Sequence, residues 1–160
     1  MSRNRSILGL VAFLVVTFAV SAFGALFTPG GGSGDWYASL PKPAWTPPGW
    51  VFGPAWTLLY VLIAVAAWLV WRARGSLGAA ALPLGVWSVQ LALNGLWSFL
   101  FFGQQLVVPA FAEILVLWLA ILATLLVFWR VRPLAGALLL PYLLWVTFAA
   151  ALNGAIASAR

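Results

Sequence analysis

Five long apolar runs constrain the fold of this chain more than any other feature of its sequence. They cover residues 7–27, 50–71, 79–102, 106–129 and 134–157. A helix of that length rises about 1.5 Å per residue and crosses a hydrocarbon core of about 30 Å. With 65% hydrophobic and only 6% charged residues, the composition is typical of a membrane protein. The sequence therefore predicts an all-α fold, with residues 1–160 forming one integral membrane domain of five transmembrane helices.

The first run has a second interpretation, as a secretion signal. Arg3 and Arg5 precede it, and small residues lie near its end at 21–25. The apolar region of such a signal is usually shorter than this run, which favours a helix that is retained in the membrane.

The distribution of basic residues predicts the orientation of the five helices. Lys42 and Arg160 fall on one side of the bundle, and six arginines fall on the side of the N-terminus: Arg3, Arg5, Arg72, Arg74, Arg130 and Arg132. Cytoplasmic loops of membrane proteins are enriched in Lys and Arg. The N-terminus is therefore expected in the cytoplasm and the C-terminus outside.

Several function classes are excluded by the residue types that are missing. The chain has no His and no Cys, so it offers no hydrolytic triad, no zinc site and no disulfide. A haem iron would need a rarer axial ligand such as a tyrosine, so no metal site and no resident cofactor are expected. The net charge of +6 is explained by the topology signals, and nucleic-acid binding is not expected.

Residues 28–49 form a long loop that contains more than a simple connection requires. The loop begins with a glycine-rich stretch and then turns to aromatic residues and prolines. The Pro47–Pro48 pair suits the first turn of a helix, with Thr46 as its cap. Long loops of this composition usually cover a functional site, so we expect a lid.

Polar residues within the third run recur at helical spacing. Gln90, Asn94 and Ser98 lie four residues apart, and Trp97 is on the same face. Such a stripe serves either as hydrogen-bonding glue between helices or as the lining of a ligand site. The residues alone leave both readings open.

The fourth and fifth runs carry two further features. Tyr142, Trp145, Ala149 and Leu152 share a face of the fifth helix, which suits either close packing or a slot for a flat ligand. Glu113 is the one formal charge within the five runs, and it is interpreted as a structural hydrogen-bonding group or as a proton or ligand site.

Several motifs stand in order along the chain: Asp35-Trp36-Tyr37, the run from Lys42 to Pro48, Trp56, Asn94 with Trp97, and the run from Pro141 to Trp145. Together they resemble the signature of the tryptophan-rich sensory protein family, the bacterial relatives of the mitochondrial translocator protein or peripheral benzodiazepine receptor. The resemblance covers essentially the whole chain.

This resemblance implies a bacterial membrane receptor that binds porphyrins such as protoporphyrin IX and haem, as ligands rather than cofactors, and transports them. Sterols and benzodiazepine-type drugs are further family ligands. The implied pocket residues are Trp36, Trp45, Pro47, Trp56, Tyr60, Asn94, Trp97, Ser98, Trp145 and Ala149. A sterol-recognition pattern at the end of the fifth helix is incomplete here, because no aromatic residue lies between Leu152 and Arg160.

Three functions therefore remain as alternatives. The first is a porphyrin sensor or carrier, and the second is an enzyme that degrades porphyrin in light with Trp56 and Trp145 as its catalytic pair. The third is a small transporter of lipophilic cations, coupled through Glu113. A homodimer is also expected, with the small residues Ala81, Gly85, Ala92 and Gly95 of the third helix at its interface.

Overall fold

The computed structural model describes residues 1–27 and 34–159, and the residues it describes form helices without any strand. The α-helices are α1 (Arg3–Ala25), α2 (Gly34–Ser39), α3 (Phe52–Arg74), α4 (Ala81–Ser98), α5 (Val107–Val131), α6 (Pro133–Ala137) and α7 (Leu140–Ser158). A 3-10 turn at Gly49–Val51 leads into α3, and a π-helical turn at Phe99–Gly103 extends α4.

Five of these segments are long and apolar enough to cross a membrane. They are Arg3–Ala25, Gly49–Arg74, Ala81–Gly103, Val107–Val131 and Pro133–Ser158. The predicted class, an all-α integral membrane bundle of five spans, is therefore confirmed. Arg160 and the glycine-rich stretch 28–33, where the predicted lid begins, lie outside the described residues.

The five spans form a bundle in which most contacts follow a ring, and α3 also contacts α4 and α5 across it. The order around the ring is α1, α3, α7, α5 and α4. The last span meets α3 mainly through the short helix α6, while α7 itself makes few contacts with α3. The two helices therefore separate on the side away from α6, and a cavity opens there.

Prolines determine where the helices start. Pro54, Pro83 and Pro109 are each the third residue of their helix, Pro133 is the first residue of α6 and Pro141 the second of α7. The first turn of a helix lacks carbonyl partners for its N–H groups, so proline costs little there. The run expected as one helix over 134–157 is divided for this reason, because Pro141 cannot continue α6 and begins a new helix.

The expectation that Thr46 caps the second membrane helix is wrong. α3 begins at Phe52, and its capping residue Val51 makes no side-chain hydrogen bond. The Thr46 hydroxyl instead donates to the carbonyl of Pro43 at 2.8 Å. A residue that precedes proline disfavours the helical region, so two consecutive prolines keep this segment extended until the 3-10 turn.

One end of the bundle combines arginines with tryptophans. Arg5 donates to the carbonyl of Gly75 at 3.2 Å and lies over the Trp71 ring, and Arg72 lies over Trp68 at 4.7 Å. The Trp68 indole N–H donates to the carbonyl of Ser6 at 2.8 Å. These contacts tie the start of α1 to the end of α3, at the end of the bundle opposite the loop that carries Lys42.

Candidate functional site

A cavity of about 330 Å³ lies between α1, α3, α4 and α7, beneath α2. Its lining comprises Ser21, Gly24, Ala25, Tyr37, Gly49, Phe52, Gly53, Trp56, Thr57, Tyr60, Trp97, Ser98, Phe101, Phe102, Trp145, Ala149, Leu152 and Asn153. Large aromatic rings from α3, α4 and α7 face small residues from α1. The cavity is therefore a slot with aromatic rings on one side and small residues, called here the smooth side, on the other.

The aromatic side is built by three rings from α3 and α7. The ring of Trp56 stacks on that of Tyr60, with centroids 5.6 Å apart, and Trp145 meets Trp56 edge to face at 6.3 Å. Such offset and edge-on contacts are the arrangements that aromatic quadrupoles favour. The indole N–H of Trp145 is buried and has no hydrogen-bond partner among the described residues. This wall thus combines apolar area with one free donor.

The smooth side depends on Gly24 of α1. A Cβ atom at this position would come within 3.2 Å of the Ser98 hydroxyl oxygen on α4. Glycine therefore lets α1 approach α4 closely where the cavity begins. The neighbouring Ser21 and Ala25 are also small, so the α1 wall leaves the slot open.

The π-helical turn at the end of α4 supplies the wall next to the lid. Its wider bonding is seen in the backbone N–H of Gln104, which donates to the carbonyl of Phe99 at 2.8 Å. In this turn the ring centroids of Phe101 and Phe102 are 4.8 Å apart, and the Phe101 ring stacks on that of Trp97 with centroids 5.2 Å apart. Turns of this kind are frequent at functional sites.

Tyr37 of α2 closes the cavity from above, and Lys42 holds α2 in place. The Tyr37 ring packs against Phe52, Phe101 and Phe102, and burial raises the pKa of its phenol. The Lys42 ammonium lies 4.8 Å from the Tyr37 ring centroid and donates to three carbonyls, those of Tyr37, Ala38 and Leu40. These bonds use all three of its hydrogens, so Lys42 stabilises the lid.

A chain of buried hydrogen bonds forms the floor. The Tyr60 hydroxyl donates to Asn94 Oδ1, Asn94 Nδ2 donates to the Tyr142 hydroxyl, and that hydroxyl donates to Gln90 Oε1, each at 2.8 Å. The four side chains are at most 5% exposed. Gln90 and Asn94 thus connect α4 to α3 and α7. Of the two roles considered for the polar stripe, these two residues have the first, hydrogen bonding between helices.

A second amide connects the helices beside the cavity. Asn153 of α7 accepts from the Trp97 indole N–H at 3.0 Å and donates to the carbonyl of Val107 at 3.0 Å. It therefore fixes the Trp97 ring against the cavity and joins α4, α5 and α7 at one level.

Six of the residues expected in a pocket line this cavity: Trp56, Tyr60, Trp97, Ser98, Trp145 and Ala149. The other four are not among the residues that line it. Trp36 packs on Phe101 at 5.6 Å, and Trp45, half exposed, packs on Phe148 at 5.5 Å. Pro47 is in the extended segment before α3, and both polar groups of Asn94 are engaged in the hydrogen bonds of the floor.

Sequence reasoning missed several residues of the lining. Asn153 could have been found, because an amide within a membrane span must have a partner. Tyr37 was placed in the lid but was not assigned to the site. The sequence does not predict that Phe101 and Phe102 line the cavity, because no pattern in it indicates a π-helical turn.

Comparison with known proteins identifies the family of this chain. The profile of the TspO/MBR family matches residues 12–158. The chain belongs to this family. The match covers α1 from residue 12 onward, the other four membrane spans in full, and every residue that lines the cavity.

Relatives from bacteria and from animals are similar over most of their length. The chain is 40% identical to Protein CrtK of Rhodobacter capsulatus, covering 88% of this chain and 86% of the relative. It is 42% identical to the tryptophan-rich sensory protein of Cereibacter sphaeroides, covering 89% and 85%. It is 43% identical to the human translocator protein, covering 74% and 70%. Together with the five spans, these relatives support an integral membrane protein with a sensory or transport role.

Proposed function

We propose that this chain binds a porphyrin, such as protoporphyrin IX or haem, in the slot between α3 and α7, and that it serves as a membrane sensor or carrier of that ligand. The observation that carries the proposal is the wall of Trp56, Tyr60 and Trp145 facing the small residues of α1. A porphyrin is a broad apolar disc, and such a slot covers both of its faces.

The size and polarity of the cavity indicate how the ligand is held. A volume of about 330 Å³ is at the small end of pockets for drug-sized ligands. A porphyrin disc therefore needs the α2 lid to move outward, or extends past it with its carboxylates towards the membrane interface. The buried N–H of Trp145 has no partner among the described residues, so it would donate to an acceptor on the ligand if the indole turns towards the cavity.

Other members of the expected ligand set fit the same slot less specifically. At the floor, the hydroxyls of Tyr60 and Tyr142 are both bonded within the protein, so the rings there would contact the faces of a haem and not its iron. Sterols and benzodiazepine-type compounds share the apolar character but use fewer of the rings.

Shortening Trp145 should weaken porphyrin binding in proportion to the lost area. Burying a large aromatic side chain contributes about 2 kcal/mol or more at a contact, so Trp145→Ala should raise Kd for protoporphyrin IX by at least about tenfold. Trp145→Phe keeps most of the area and should raise it less, although it removes the free N–H. Quenching of tryptophan fluorescence measures both values, and equal affinity in the wild type and Trp145→Ala would remove this residue from the site.

A light-dependent porphyrin-degrading enzyme is the second candidate. The contact between Trp56 and Trp145, at 6.3 Å, favours it, because both indoles would touch a bound porphyrin. The same titration repeated under illumination distinguishes the two functions. Loss of porphyrin absorbance that requires either indole supports the enzyme, whereas a full rate in the double Phe variant contradicts it. Transport of lipophilic cations has less support, since Glu113 is not part of the lining.

We also infer that two copies associate through α4. Ala81, Gly85 and Ala92 lie on its exposed face, and no atom lies within 4 Å of a Cβ built on Gly85. Gly95 belongs to another contact, since its Cβ would meet Val20 of α1 at 3.3 Å. The proposed interface therefore contains three of the four small residues expected there, without Gly95.

Replacing Gly85 with Leu should shift the detergent-solubilised protein from dimer to monomer and leave porphyrin affinity unchanged, because Gly85 is remote from the cavity. Light scattering gives the mass of the protein. The control Gly53→Leu adds the same side chain at a glycine whose surroundings are equally open and should leave the dimer intact; because Gly53 lines the cavity, only the mass of this variant is compared. A Gly85→Leu protein that remains dimeric would refute this interface.

For the orientation, we propose that the arginine-rich end faces the cytoplasm of a bacterial cell and that the lid and the C-terminus face outward. The six arginines listed above support this placement. Because the chain has no cysteine, a single Ser2→Cys substitution provides a unique label. A membrane-impermeant thiol reagent should fail to reach it in intact cells and should react after the cells are opened. Labelling of Ser2→Cys in intact cells would show that the N-terminus faces outward and would contradict this orientation.

A further inference from the structure

The seam between α1 and α3 is closed by aromatic rings over much of its length. The Phe13 ring packs against that of Trp71 with centroids 6.1 Å apart, and the Phe18 ring packs against that of Tyr60 at the same centroid distance. Residue numbers rise along α1 as they fall along α3, so the two helices are antiparallel. The closed part of the seam ends at Tyr60, which is also a residue of the cavity lining.

Small residues face each other along the rest of this seam. Positions three and seven residues apart share one face of a helix. The pairs that follow the last aromatic pair are therefore Ser21 with Thr57 and then Ala25 with Gly53. All four residues line the cavity. A ring fills the seam at each aromatic pair, whereas these four small residues leave space between the helices.

The same small residues are also exposed on the outside of the bundle. Ala25, Gly53 and Thr57 are exposed although they line the cavity, and no atom lies within 4 Å of a Cβ built on Gly53. The Thr57 hydroxyl donates to the carbonyl of Gly53 at 2.8 Å, so its polar group is satisfied within its own helix. The cavity is therefore open between α1 and α3, and the four residues Ser21, Ala25, Gly53 and Thr57 are called here the side opening.

The other boundaries of the cavity are closed. Between α1 and α4, a Cβ built on Gly24 would come within 3.2 Å of Ser98 Oγ. Between α3 and α7, the rings of Phe52 and Trp145 meet with centroids 5.9 Å apart. Above, the Tyr37 ring packs on the π-helical turn. Among residues 1–27 and 34–159, the side opening is thus the place where the cavity meets the exterior.

The side opening lies within the membrane-spanning part of the chain. Ala25 is the last residue of the first span, and Gly53 is in the first turns of the second, which begins at Gly49. The neighbouring Leu26 and Leu58 are 65% and 60% exposed. Such an apolar surface is in contact with lipid chains. The molecules next to the side opening are therefore those dissolved in the half of the bilayer nearest the lid.

We propose that ligands enter the cavity sideways from the bilayer, through the side opening between α1 and α3, while the lid stays closed. This inference rests on the proposed function of the cavity. A flat apolar disc passes edge-on between two helices, and the part of a porphyrin that the cavity does not hold remains in the opening. The ligands that reach the site are then the lipophilic molecules of the lid-side leaflet.

The test measures how fast a membrane-dissolved ligand binds. Its probe is protoporphyrin IX dimethyl ester, which is uncharged and dissolves in lipid. The protein is reconstituted in phosphatidylcholine vesicles and mixed rapidly with the probe. Porphyrin fluorescence in vesicles without protein gives the rate of entry into the lipid, and quenching of tryptophan fluorescence gives the rate of binding.

Ala25→Leu narrows the side opening from α1. It should slow association by at least about tenfold, which corresponds to a barrier higher by about 1.4 kcal/mol. Ala22→Leu is the matched control, because Ala22 is an exposed alanine of the same helix that does not line the cavity. It should bind the probe at the wild-type rate. Equal association rates in Ala25→Leu and Ala22→Leu would overturn the proposal.

Thr57→Phe narrows the opening from α3, which guards against a folding defect specific to α1. It should also slow association, whereas Thr57→Val keeps the shape of the side chain and should bind at the wild-type rate. A blocked entrance slows entry and exit alike, so the dissociation rate should fall with the association rate. A weaker affinity with an unchanged association rate would mean that the new ring only fills the cavity, and it would overturn the proposal.

Entry past the lid is the alternative route. Lys42→Met removes the three hydrogen bonds that hold α2 and should leave the association rate unchanged if ligands enter from the side. Faster association in Lys42→Met would overturn the sideways route in favour of the lid. The two proposals fail differently, because absence of specific quenching in the wild type rejects the porphyrin cavity, whereas quenching at equal rates in all variants rejects the side opening alone.

Discussion

The amide of Asn94 is the contact on which the arrangement of this bundle depends. It accepts from Tyr60 on α3 and donates to Tyr142 on α7, so that one side chain of α4 joins three helices. Inside a bilayer no water is available to replace these bonds, and a polar group left alone there is costly. Measured hydrogen bonds between membrane helices contribute only about 0.6 kcal/mol on average. The floor is therefore important mainly because it fixes one geometry.

The cavity follows from this floor. Below it, α3 packs against α6 and the small residues Ala66 and Ala67 are fully buried. Above it, α3 and α7 have few contacts, and the space between them is bounded by aromatic rings and by the glycine of α1. The lid then closes on the π-helical turn, and Lys42 holds it by bonding the carbonyls at the end of α2. The polar layer and the aromatic layer thus have separate roles, and Tyr60 belongs to both.

The sequence predicted the membrane spans well because their signal is simple. Each apolar run contains its helix or overlaps most of it, since length and composition alone decide whether a segment crosses a bilayer. The polar stripe on the third run contains two kinds of residue that the sequence alone does not distinguish. Gln90 and Asn94 bond within the protein, whereas Trp97 and Ser98 line the cavity, because neighbouring residues of one helix meet different partners.

What the sequence did not predict depends on contacts between distant segments. The π-helical turn at Phe99–Gly103 and the burial of Tyr37 arise from packing between the lid and α4. Trp45 and Pro47 carry conspicuous residue types, yet they lie outside the lining because the extended segment before α3 passes beside the cavity. The break before α7 had a visible cause in Pro141, but an apolar run of suitable length concealed it.

Filling the cavity tests the location of the ligand most directly. Ala149 lines the slot one turn after Trp145, and Ala151 on the same helix is exposed. Ala149→Phe should weaken protoporphyrin IX binding by at least about tenfold, since an added ring occupies the space of the disc, while Ala151→Phe should bind like the wild type. Both proteins should remain folded in a detergent melting experiment. Unchanged porphyrin affinity in a folded Ala149→Phe protein would show that the ligand binds elsewhere.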